Sequence, residues 1–288
     1  MSDLATLHSW PTLEKPVLVV NLDGWIDAGQ AAGTAMTTLR ELVDPRLVAT
    51  FDGDELLDHR ARRPVLRIEH GVDRELRWPE IRLEAGTTAG GRAVLLLSGP
   101  EPDMRWHRFT GEVVSLASRL GVRMVVGLGA FPAPVPHTRP VRLAATSTDA
   151  SLAGQIGVVP AVIEVPAGAQ GVLEHAFGQA GVPAVGLWAR VPHYAAALPY
   201  PAGAAALLDR LGPLVDVEVD TASLHAAAAV TAKHIDQLIA GSDDHAALVR
   251  QLELSHDEEE GLAGTQFGDL PSGDEIAAEL ERFLRGER

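Results

Sequence analysis

The chain has 288 residues, 46% of them hydrophobic, no cysteine and a formal net charge of −15. That composition suffices for a sizeable core and excludes a disordered chain, a disulfide scaffold, a cysteine nucleophile and a thiolate metal site. The negative charge argues against nucleic acid and anionic membrane as partners, and no apolar run reaches the roughly 18 residues of a membrane span.

Residues 1–10 carry no basic stretch followed by an apolar one, so no secretory signal is expected. Together with the missing cysteines this points to a cytoplasmic protein. Residues 16–22, Pro-Val-Leu-Val-Val-Asn-Leu, read as a short buried strand. Asp23-Gly24-Trp25 breaks it, and Asp27 with Gln30 resembles a capping box for a helix over 28–43. A second strand over 47–51 completes a β-α-β start, which implies parallel pairing.

Residues 52–92 change texture. Short β-like pieces at 65–69, 75–78 and 81–84 predict an antiparallel excursion at the sheet edge. Residues 93–97 form another buried strand. Asp103 is placed to cap the helix that follows, whose apolar stripe is Trp106, Phe109, Val113, Leu116 and Leu120. Strands over 123–128 and 182–188 follow. The expected architecture is α/β with a mostly parallel sheet over 1–202. From about residue 203 the pattern is helical, which predicts an extension over 203–288. Leu224, Ala228, Thr231, Ile235 and Leu238 make one stripe there. The acidic run 257–260 reads as a turn. Ser272 with Glu275 caps a last helix carrying Ile276, Leu280 and Leu284.

Six strings, in order, resemble the proteasome assembly chaperone 2 (PAC2) family in its bacterial, actinobacterial branch. They are Gly24-Trp25-Ile26-Asp27-Ala28-Gly29, Arg62-Arg63-Pro64, and Gly99-Pro100-Glu101-Pro102-Asp103 with Trp106. The others are Pro136-His137-Thr138-Arg139-Pro140, Val191-Pro192-His193-Tyr194 and Pro271-Ser272-Gly273-Asp274-Glu275. The resemblance implies a three-layer α/β/α sandwich, phosphorylase/hydrolase-like, and self-association as a trimer. It implies little about chemistry.

The strings fall mostly where strands end, which is where open α/β sheets bind ligands. Asp27, Glu101, His137 and His193 are therefore candidate acid/base residues, with Arg139, Asp103, Trp106 and Tyr194 as candidate ligand-binding residues. The alternative is structural: Asp27 and Asp103 cap helices, Glu101 bonds backbone amides, and His137 to Arg139 pins a Pro-rich loop. His107, His137 and His193 lack the spacing of a metal motif, and no cofactor or metal is expected. The stretch from Gly127 to Pro132 fails as a dinucleotide loop. Ser98 lacks a nucleophile elbow, and Arg60, Arg62 and Arg63 read as an ion-pair knot. Two functions stay open. One is a protein-interaction or assembly-chaperone-like factor. The other is a small-molecule enzyme of hydrolase, phosphorylase or ligase type.

Overall fold

The computed structural model describes residues 4–156 and 162–264, and the expected helix from Ser272 lies outside them. The elements run β1 (Ala5–Leu7), β2 (Val17–Asp23), α1 (Ala31–Val43), β3 (Arg46–Phe51) and the short α2 (Gly53–Leu56). Next come β4 (Val65–Glu69), β5 (Val72–Arg77), β6 (Ile81–Thr87), β7 (Ala93–Pro100) and α3 (Trp106–Arg119). Then follow β8 (Met124–Ala133), β9 (Leu143–Ser147), α4 (Ala150–Ile156), α5 (Ala169–Gln179) and β10 (Ala184–Pro192). The helices α6 (Pro201–Val215), α7 (Ala222–Ile239) and α8 (Asp243–Gly264) close the described chain.

Eight strands form one mixed sheet in the order β1-β3-β6-β7-β2-β8-β10-β9. Its middle, β7-β2-β8-β10, is parallel throughout. These strands read as near-continuous apolar runs because helices cover both faces. Leu18, Val20, Leu95, Leu97 and Val125 point to one face, where Phe109 and Val113 of α3 and Leu173 and Phe177 of α5 meet them. On the other face lie α1 and α6. Small residues let those two helices approach closely: a Cβ on Gly203 would lie 2.8 Å from that of Ala31. The α/β/α sandwich is thus present.

Three expectations change. The β2-α1-β3 start gives no parallel pair, because β3 pairs antiparallel with β6 and β1. The 81–84 piece is no edge excursion: β6 lies between β3 and β7. Its buried Glu84 is tolerated there because Arg40 of α1 donates to it at 2.5 Å and to Ser98 Oγ at 2.6 Å. Third, the acidic run 257–260 lies inside α8, not in a turn.

The described residues divide into two compact units, which meet in sequence between Leu238 and Ile239. Among the described residues no helix is long and apolar enough to cross a membrane.

Candidate functional site

Parallel strands point their carboxyl ends one way, so the loops after β2, β7, β8 and β10 collect on one edge. Asp27, Glu101, His137, Arg139 and His193 all stand in those loops. The structure divides them into three groups.

The first group covers α1. Asp27 Oδ1 accepts from Ala32 N at 2.8 Å and Oδ2 from Gly33 N at 2.9 Å. It therefore caps α1, but across a 3-10 turn and without the return bond of a capping box, since Gln30 is itself left-handed at φ 52°. Asp23 stands beside it. Burial, then the neighbouring Asp27, push the Asp23 carboxyl above its usual range, and Arg62 opposes them.

Arg62, of the arginine knot, forms an ion pair within the chain. Its Nε donates to both oxygens of Asp103 at 3.2 Å, while Asp103 Oδ2 also accepts from Asp58 N at 2.8 Å. Asp103 is thus no helix cap: α3 starts after Arg105, which is left-handed at φ 59°. Trp106 donates from Nε1 to Pro102 O at 2.6 Å. Both residues clamp the loop after β7, and their polar atoms are taken up by the protein itself.

The second group is a knot around His137, whose side chain is only 2% exposed. The Tyr194 hydroxyl accepts from His137 N at 2.9 Å and shares a proton with Nδ1 at 2.8 Å. On the other side Nε2 meets Asp236 Oδ1 of α7 at 3.0 Å. His193 stacks edge-on against Tyr194, with ring centroids 5.4 Å apart, and is exposed. Arg139 is half-buried and has partners of its own. Tyr200, which lies beside Tyr194, has its phenol pushed up by burial. Every atom of the His137 ring that can hydrogen-bond is engaged, so the knot pins the loop after β8 to β10 and α7. Tyr194→Phe is expected to cost about 2 kcal/mol, because it orphans a buried N–H and a buried ring nitrogen. Urea unfolding reads this, and a loss below about 0.5 kcal/mol would refute the pinning role.

The third group is Glu101, which lies on the opposite face of the sheet from Asp27. Its Oε2 accepts from Ala169 N at 2.6 Å, at the first turn of α5, where the helix dipole favours an anion. Glu101 also borders a cleft of about 860 Å³ that sequence reasoning missed. Trp25, Phe131 and Trp188 line it, and Gln170 and Glu174 of α5 reach into it. Trp188 Nε1 donates to Thr146 Oγ1 at 3.2 Å, and Thr146 Oγ1 donates to Glu174 Oε2 at 2.8 Å. Burial pushes the Glu174 carboxyl up to about 7, against the Thr146 bond. The available signal was the glycines of β8 and β10, because glycine inside a strand marks a close approach. Among the described residues no cluster of three or more His, Asp or Glu is placed to hold a metal, and His107 is exposed on α3.

A sequence model of the PAC2 family matches residues 21–239. Among solved structures, a Mycobacterium tuberculosis protein of unknown function is 37% identical, with a TM-score of 0.84 over 91% of this chain and 93% of its own. A proteasome-assembly chaperone homologue from Mycobacterium tuberculosis is 39% identical, with a TM-score of 0.76 over 81% of this chain and 99% of its own. A PAC2 family protein from Streptomyces avermitilis is 38% identical at a TM-score of 0.74, over 81% and 99% of the two chains. Nothing among curated proteins matches.

Proposed function

We propose that this chain, which belongs to the PAC2 family, is a cytoplasmic protein-interaction factor of the assembly-chaperone type that works as a homo-oligomer, with a trimer as the expected order. The observation that carries this reading is the hairpin β4–β5. It makes a two-stranded sheet of its own, apart from the main sheet. Leu66 pairs with Leu76, and paired residues share a face. Leu66, Leu76 and Ile68 are 45%, 48% and 60% exposed on one face, while Val65 and Val72 pair with Arg77 and Glu69 on the other. A lone two-stranded hairpin is marginal in water, and a contiguous apolar surface of this kind marks an interface.

The occupant is a second copy of this chain. Within the hairpin three arginines (Arg67, Arg74, Arg77) balance three acids (Glu69, Asp73, Glu75). The hairpin is therefore locally neutral on a chain of net charge −15, so two copies can meet there without the repulsion that acts elsewhere on the surface. The three arginines already pair within the hairpin, Arg67 and Arg74 with Glu69 and Arg77 with Glu75. Support for the assembly role comes from the mycobacterial relative described as a proteasome-assembly chaperone homologue. It comes also from the carboxyl-edge candidates, whose polar groups are largely committed to helix caps and loops.

Light scattering across a dilution series tests the self-association. The expected mass is a multiple of 30.5 kDa, and Ile68→Asp with Leu76→Asp should return the chain to 30.5 kDa with its circular dichroism intact. A wild-type mass of 30.5 kDa at every concentration would remove the reading. For the client class, tagged protein from native lysate should enrich proteasome ring subunits over a tag control. Their absence would remove the chaperone part alone.

A further inference from the structure

We infer that the cleft between α5, β9 and the β8–β10 strands is a binding site for a small, largely apolar molecule that carries a carboxamide group. This goes beyond the self-association reading and uses none of its residues.

The cleft has the volume and the mainly apolar walls of a small-molecule site, with a few polar groups converging at one place. Its floor is built for that convergence. Gly127 of β8 and Gly186 of β10 are paired neighbours in the sheet. Gln170 lies over Gly127, where a Cβ would come within 2.6 Å of Nε2. Glu174 lies over Gly186, where a Cβ would come within 2.9 Å of Oε2 and 2.5 Å of Thr146 Oγ1. Residues 170 and 174 are four apart on one helix and so share a face. Two bare backbone positions thus seat an amide and a carboxyl side by side.

The two groups are unequally satisfied. One carboxyl oxygen of Glu174 is held by the Trp188–Thr146 relay. The amide nitrogen of Gln170 is buried and has no acceptor. A buried donor without a partner is rare enough to need a reason. The terminal torsion of glutamine is soft, so the amide turns towards the cleft at little cost.

The ligand chemistry follows from the pair. A carboxamide offers a carbonyl oxygen to the Gln170 N–H and an N–H to the Glu174 carboxyl. A carboxylate of the same shape would set like charges against each other once Glu174 ionises. An ammonium would satisfy Glu174 but give the Gln170 donor no acceptor. Trp25, Phe131 and Trp188 supply flat walls for an aryl or alkyl body.

Titration followed by tryptophan fluorescence and calorimetry tests this with three probes of one shape: 3-phenylpropanamide, 3-phenylpropanoate and 3-phenylpropylamine. At pH 7.5 the amide should bind about ten-fold tighter than either charged probe. Gln170→Leu, which keeps the side-chain volume, should weaken the amide about ten-fold, the loss of one buried hydrogen bond, with the melting temperature held. Equal binding of all three probes, no binding of the amide at millimolar concentration, or an unchanged amide affinity in Gln170→Leu would each overturn the assignment. Should Gln170→Leu fail to fold, the ranking of the three probes on the wild-type protein decides.

Discussion

Gly99→Ala is expected to destabilise the protein by about 4 kcal/mol or more, enough to leave a marginal domain largely unfolded. Gly99 sits in β7 opposite Leu22 of β2, with φ at +124°, a conformation that residues with a Cβ rarely adopt. A Cβ there would lie 2.2 Å from Glu80 O and 2.9 Å from Ile81 Cα. Both are backbone atoms, at the point where the chain enters β6, so no side chain can turn away to make room. Relief requires moving β6 away from β7, in the middle of the sheet. Gly111 gives the contrast. It is exposed on α3 with open space at its Cβ, so Gly111→Ala should stabilise by about 0.5–1 kcal/mol through helix propensity alone. Urea unfolding of both variants checks the pair, and equal midpoints would show that the approach at Gly99 is not tight.

Glu174→Gln is expected to stabilise the protein by about 2 kcal/mol at pH 8 and by little at pH 4. Burial raises the folded carboxyl from its ordinary value of 4.5 to about 7. Between those two values the folded chain holds a proton that the unfolded chain has released. Stability therefore falls as the pH rises through that window and levels off above it. Gln cannot ionise but still accepts from Thr146, so the variant escapes the fall. Urea midpoints at both pH values measure it. The same difference at pH 4 and pH 8 would mean that packing, not ionisation, is being read.

The parallel centre was legible in the sequence because both of its faces are covered. Val17 to Val20, Leu95 to Leu97 and Val125 to Leu128 are apolar without alternation, the pattern of strands buried on both faces. What was not legible depended on distant partners. The short β-like pieces of 52–92 made β6 look peripheral, and Arg40, which makes its Glu84 tolerable in the sheet, is 44 positions away. The strands β1 and β9 are too short and mixed for a period. In α5 only Ala169, Leu173 and Phe177 are buried, a stripe of three.

The candidate residues show the same division. Their placement after strands was readable, and so was the capping role of Asp27. Their separation was not, because Asp27 and Glu101 cap helices on opposite faces of the sheet. Gln170 and Glu174 carried no motif at all. They become a pair only through the register that sets Gly127 beside Gly186.

The position of β2 has a consequence for how the chain is made. It is the first of the four parallel strands to be synthesised, yet it ends between two of them. Val17 pairs with Val94 on one side and Met124 on the other. Until residues 124–127 leave the ribosome, Val17 to Val20 is apolar on both faces and its second edge has no partner. At ordinary translation speed that interval is on the order of ten seconds. Long-range parallel pairing is slow, and an unpaired apolar strand invites contact with other nascent chains. A protein read as helping others to assemble therefore needs shelter while it is itself being made.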